Sequence, residues 1–131
     1  METALMRKKR ERRNEKRELK KRWEFARALA AERDGHVCQV CRNHVEGKSC
    51  NIHHILPESK KYSELHDCLN NLITLCPRCH RLGEESAHRG GFIFTLWLEK
   101  NKPEQHAFLR DYLEKKQLKG GQQQTDHGRT N

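Results

Sequence analysis

Two Cys-x-x-Cys pairs, Cys38-Gln-Val-Cys41 and Cys76-Pro-Arg-Cys79, carry the plainest chemistry in this chain, with 34 residues between Cys41 and Cys76. Each such turn can present two thiolates to one ion, and four thiolates complete a closed tetrahedral zinc site with no open catalytic position. One structural Zn2+ is therefore expected. Reading the pairs as redox motifs would need a βαβ context that is absent. The interval exceeds that of a minimal zinc ribbon, so a hairpin must be inserted between the two knuckles. Cys50 and Cys68 belong to no pair and read as small buried residues.

The hairpin is expected to carry His53 and His54, inside the run Ser-Cys-Asn-Ile-His-His-Ile-Leu (49–56). Adjacent side chains in a strand point to opposite faces, so the two imidazoles should not share one task. Residues 49–56 and Leu-Ile-Thr-Leu-Cys (72–76) read as two strands, joined by a loop from Pro57 to Asn70 that holds Lys60 and Lys61. Residues 77–88 read as a helix start with Pro77 in its first turn, and Gly83 weakens the case for its full length. Two packing helices follow. One covers 92–101, and the other opens at Pro103 with Ala107, Phe108, Tyr112 and Leu113 on one side.

Upstream, residues 3–33 contain neither Gly nor Pro and are mostly strong helix formers. Residues 7–22 hold eleven Lys or Arg against three Glu, which supplies +8 of the chain's +9. A helix there has almost no apolar face until Trp23, Phe25, Ala26, Leu29 and Ala30 form a stripe at helical spacing. The expectation is a helix docked over 23–33, projecting a basic arm and ended at Asp34-Gly35. Such a block points to a polyanion partner, nucleic acid first, with a merely solvating helix as the alternative.

Composition bounds the rest. With 131 residues, 34% apolar and 34% charged, the core must be small, and a metal staple fits that need. No apolar run is long enough to span a membrane, and the charged N-terminus lacks the apolar core of a signal peptide. A protein of the reducing cytoplasm is the expectation. The expected organisation is a basic arm over 1–33, a metal-bearing domain with packing helices over 34–118, and a disordered tail over 119–131.

With the cysteine frame, the His pair, Asn71-Leu72 and Cys79-His80 in place, residues 36–88 resemble the HNH endonucleases in their four-cysteine, phage- and restriction-type form. The resemblance implies an α+β fold, a ββα-metal core with a four-cysteine zinc site between a basic N-terminal helix and C-terminal helices. It implies His53 and His80 as ligands of one catalytic divalent ion, His54 as general base, and Asn71 rather than Asn70 as the support of the base loop. The reaction implied is metal-dependent hydrolysis of DNA, leaving 5′-phosphate and 3′-hydroxyl ends. A terminase of a phage packaging machine is an implied protein partner.

The chemistry of these residue types agrees. A histidine with an ordinary pKa near 6.5 suits a general base, and an Asn or a backbone carbonyl across the loop can fix its tautomer. One ring of the pair can turn to a metal at the helix while the other faces a DNA groove. Cys79 and His80 lie ~100° apart on a helix, so one can face zinc and the other the catalytic ion. His80 as a zinc ligand in place of a cysteine is the alternative. Two imidazoles favour Mn2+, Ni2+, Co2+ or Zn2+, while oxygen ligands suit Mg2+ better, and the resemblance implies a divalent ion as a class, Mg2+ included. Glu84 and then His88, one and two turns after His80, are further candidate ligands, with a solvated surface Glu84 the alternative. Lys60, Lys61, Arg78 and Arg81 are candidate DNA contacts. The competing function is a non-catalytic zinc module that binds nucleic acid, which leaves His53, His54 and His80 without a joint explanation.

Overall fold

The computed structural model describes residues 1–126 and divides the chain into two compact units, Met1–His80 and Arg81–Asn131. The mixed α+β architecture of the expectation is present: a long N-terminal helix, a small antiparallel sheet, four clustered cysteines and C-terminal helices.

In the first unit, helix α1 spans Ala4–Arg33. The Thr3 hydroxyl caps it, accepting from the Met6 N–H at 3.1 Å. Its end is set by Asp34, whose N–H returns to the Ala30 carbonyl, and by Gly35 at φ +67°, a left-handed turn that glycine adopts without strain. Residues 4–22 are exposed throughout. The docked stripe is narrower than the apolar spacing implies. Ala26 and Ala30 are buried against Leu72 with Trp23 packed beside them, whereas Phe25 is 67% exposed and Leu29 lies at the edge. Small alanines let the helix axis approach the sheet closely, and the larger rings one position away are turned outward.

The sheet pairs β1 (Asn51–His54) with β2 (Leu72–Leu75), antiparallel, with His53 opposite Ile73 and His54 opposite Leu72. Both strands are shorter than the apolar runs that announce them. β2 is buried along its whole length. Ile52, His54, Leu72 and Thr74 share the face that α1 covers, and His53 and Ile73 lie on the other.

Charge locks this packing. Arg33 forks onto Asp34 at 2.9 and 3.0 Å, and also donates to the carbonyls of Leu69 at 2.7 Å and Leu72 at 2.6 Å. The Asp34 carboxylate, 6% exposed, accepts from the Thr74 N–H at 2.9 Å. Gln39, inside the first Cys-x-x-Cys turn, donates to the Asp34 and Val37 carbonyls, both at 2.9 Å. The end of α1, the first knuckle and β2 are thus tied by polar bonds at one point.

The chain passes into the second unit through a single π-helical turn, Arg78–Leu82. The expected helix over 77–88 stops there. Gly83 follows, and the Ser86 N–H bonds to its carbonyl at 3.1 Å, forming turns where the helix would have continued. A side chain at Gly90 would meet the Glu85 backbone at 2.9 Å, so only glycine fits where α2 begins. Helices α2 (Gly91–Asn101) and α3 (Pro103–Asp126) pack through Phe94, Leu98 and Leu109. Among the described side chains of α3, Leu109 is buried between Tyr112 and Leu113 of the expected apolar side, which are half-buried, while Phe108 at its edge is 40% exposed. The helical backbone of α3 continues through 119–126 of the expected tail, where Gln122–Gln124 are competent helix formers. Residues 127–131 lie outside the described residues. Among the described residues no helix is long and apolar enough to cross a membrane.

Candidate active site

Cys38, Cys41, Cys76 and Cys79 bring their sulfurs within 4.8 Å of one another. The first knuckle is shaped by the Arg42 N–H bonding to the Cys38 carbonyl at 2.8 Å, with Arg42 at φ +69°. The Cys41 and Cys76 sulfurs stand 3.7 Å apart. A zinc–sulfur bond of about 2.3 Å at the tetrahedral angle separates sulfurs by about 3.8 Å. The donor set and its spacing therefore fit one tetrahedral ion. Burial pushes the Cys38 thiol up, but backbone groups of Cys41, Cys76 and Val40 that bond its sulfur bring it down to about 7. Burial and the neighbouring thiols push Cys79 the other way. Cys50 and Cys68 are half-buried outside the cluster.

On β1 the two histidines diverge as strand alternation requires. His53 and His80 are both buried, and their rings meet edge to face with centroids 5.0 Å apart. His53 comes from the strand and His80 from the π turn, with the His80 N–H bonded to the Cys76 carbonyl at 2.9 Å. The second knuckle thus positions a thiolate and an imidazole within one turn. Two converging imidazoles are a donor set that suits a first-row divalent ion.

His54 points into a cavity of about 790 Å³ between α1 and the loop from Leu56 to Cys68. Its side chain is 8% exposed there. Trp23 of α1 stacks on its ring at 4.7 Å and 23°. His54 Nε2 lies 3.1 Å from the His66 carbonyl, an acceptor only, so Nε2 carries the proton and Nδ1 the lone pair. Burial pushes the His54 pKa below the usual histidine range, so the ring is neutral at physiological pH. Nδ1 lies 3.3 Å from the Glu58 carboxylate.

Asn71 holds that loop closed. Its side chain, 1% exposed, accepts from the Leu56 N–H at 2.7 Å and donates to the Leu56 carbonyl at 3.0 Å and the Leu65 carbonyl at 3.3 Å. Its backbone carbonyl accepts from Ile55 at 2.9 Å. Asn70, by contrast, is exposed.

The remaining candidates are spread out. Lys60 lines the His54 cavity together with Lys20 and Arg22 of α1. Lys61 is exposed with its ammonium 5.4 Å from the Tyr62 ring, and Arg78 is exposed. Arg81 and Glu84 are exposed residues of the second unit. Glu84 lies in the turns after Leu82.

Three residues of the cavity escaped sequence reasoning: Trp23, taken only as packing, and Glu58 and His66, given no role. His66 lies twelve positions from His54 with no motif between them, and its neighbour Asp67 is the one local hint.

No curated protein and no solved structure matches the chain. A family model does: residues 38–84, from the first cysteine of the four-cysteine set to Glu84, match the HNH endonuclease family.

Proposed function

We propose that this chain is a metal-dependent DNA endonuclease. The observation that carries the reading is the division of labour on β1, with His53 turned to His80 and the adjacent His54 held in a single tautomer by the His66 carbonyl. His54 Nδ1 takes the proton from a water whose oxygen attacks phosphorus. The bond from phosphorus to the 3′ oxygen breaks and that oxygen takes a proton from solvent, leaving a 5′-phosphate and a 3′-hydroxyl. His53 and His80 would hold a divalent ion, which would neutralise the charge that grows on the phosphate oxygens. Asn71 acts at a distance, keeping the loop that carries the His66 carbonyl in place. The arm over residues 7–22 supplies sequence-independent affinity for the phosphate backbone.

A second reading, a zinc module that binds nucleic acid without cutting it, draws support from the shielding of His54, whose side chain is 8% exposed under Trp23. Plasmid cleavage with Mn2+, Mg2+, Ni2+ or chelator, beside a gel shift, separates the two. The nuclease reading expects metal-dependent nicking that falls at least ~100-fold in His54→Ala, the usual weight of a general base, while DNA binding persists. DNA binding without cleavage under every metal gives the chain to the second reading.

A further inference from the structure

The neighbourhood of His54 contains more than a general base requires. His54 Nδ1 lies 3.3 Å from one oxygen of Glu58, and His66 Nε2 lies 3.3 Å from the other. The ligand atoms of the three residues all lie within 4.8 Å of one another. Each ring's second nitrogen is already engaged. His54 Nε2 faces the His66 carbonyl at 3.1 Å, and His66 Nδ1 faces the Asp67 carboxylate at 2.8 Å. Neither partner can donate, so those two nitrogens carry the protons. In their neutral forms both rings therefore aim lone pairs at one carboxylate. Three acceptors converge where a cation belongs.

We infer that His54, Glu58 and His66 form a second, inhibitory zinc site distinct from the four-cysteine cluster and from His53 and His80. Zinc–nitrogen and zinc–oxygen bonds of about 2.0–2.2 Å at the tetrahedral angle put ligand atoms about 3.3–3.5 Å apart, which is the spacing of Glu58 to each ring. The Asp67–His66 pair is the carboxylate–histidine arrangement that orients a metal-bound imidazole, and the His66 carbonyl does the same for His54. Three protein ligands leave a fourth position for water. A zinc ion here occupies the Nδ1 lone pair that hydrolysis uses, so zinc binding switches cleavage off and chelation restores it. That consequence rests on the nuclease reading; the site itself does not.

The test loads the full chain with excess Zn2+, removes unbound ion by gel filtration and counts zinc per chain by elemental analysis. Glu58→Gln and His66→Gln are each expected to lose one equivalent relative to wild type, with zinc affinity at that site down at least tenfold, while His53→Ala loses a different one. Retention of the four-cysteine zinc and an unchanged melting temperature establish that a variant is folded; Glu58 is 64% exposed and its variant serves if His66→Gln is not. A full zinc count and wild-type affinity in Glu58→Gln overturn the site. In cleavage assays supported by Mn2+, micromolar Zn2+ is expected to slow wild type at least tenfold and to leave the rate of Glu58→Gln where it stood without zinc. Zinc-loaded wild type that cuts at full rate overturns the inhibitory role. If no variant and no metal gives cleavage, the nuclease reading fails while the zinc count still decides the site.

Discussion

Helix α1 is one continuous element with two different halves. From Ala4 to Arg22 it is exposed on all sides, rich in like charge, and held by its Thr3 cap and short-range ion pairs such as Glu2–Arg10. From Trp23 to Arg33 it is part of the core, with Ala26 and Ala30 against Leu72 and Arg33 bonded to three carbonyl or carboxylate groups. An isolated stretch like the first half is marginal in water, and it is helical because the second half is anchored and nucleates it. The same secondary structure thus serves stability at one end and, in the proposed function, electrostatics at the other.

If that contrast is right, substitutions in the two halves should fail in different assays. The largest effect is expected at Asp34. Asp34→Ala removes the acceptor of Arg33 and of the Thr74 N–H in a site 6% exposed. Removing one partner of such a pair costs about 3 kcal/mol, and thermal unfolding should fall by roughly 10 °C. An unchanged melting temperature would deny the docked half its role.

Trp23→Ala comes next, at about 2 kcal/mol for a half-buried aromatic, with a second signature. Its ring stacks on His54 and lies 5.1 Å from the His66 ring, so cleavage should fall by more than the stability loss predicts. A loss confined to stability would make Trp23 packing alone.

Neutralising Lys8, Lys9, Arg12 and Arg13 to Gln should leave the melting temperature within ~2 °C. It should make the dependence of log affinity on log salt shallower by about 0.9 for each phosphate that the arm no longer neutralises. An unchanged slope would mean that the exposed half only solubilises the chain. The smallest change is expected for Phe25→Ser: at 67% exposure it should move stability by no more than ~0.5 kcal/mol, although it sits inside the docked half.

Phe25 also illustrates how far the sequence could be read. A window of apolar residues marks where a helix docks, but the choice among Trp23, Phe25, Ala26, Leu29 and Ala30 depends on how closely the sheet approaches. The flat contact against Leu72 selected the alanines. Helix ends were more legible. Asp34-Gly35 and Pro103 act through local backbone geometry, and the structure places boundaries within a residue or two of them. The helix expected to start at Pro77 does start there, winds one π turn over Arg78–Leu82 and ends at Gly83, the residue that already limited its length in the sequence.

The cysteine spacing, the charge of the arm and the opposite facing of His53 and His54 were all set by the sequence alone. Each rests on geometry within a few bonds: a Cys-x-x-Cys turn presents two thiolates in any context, and neighbouring strand residues diverge in any sheet. Only the tertiary structure decided what His54 faces. Its tautomer, its Trp23 cover and its meeting with Glu58 and His66 depend on how a loop closes between β1 and β2. That closure is made by Asn71, whose amide bonds reach back to Leu56 and Leu65. Contacts across such a loop follow from where its ends are clamped, and residue type and spacing along the chain carry no record of that.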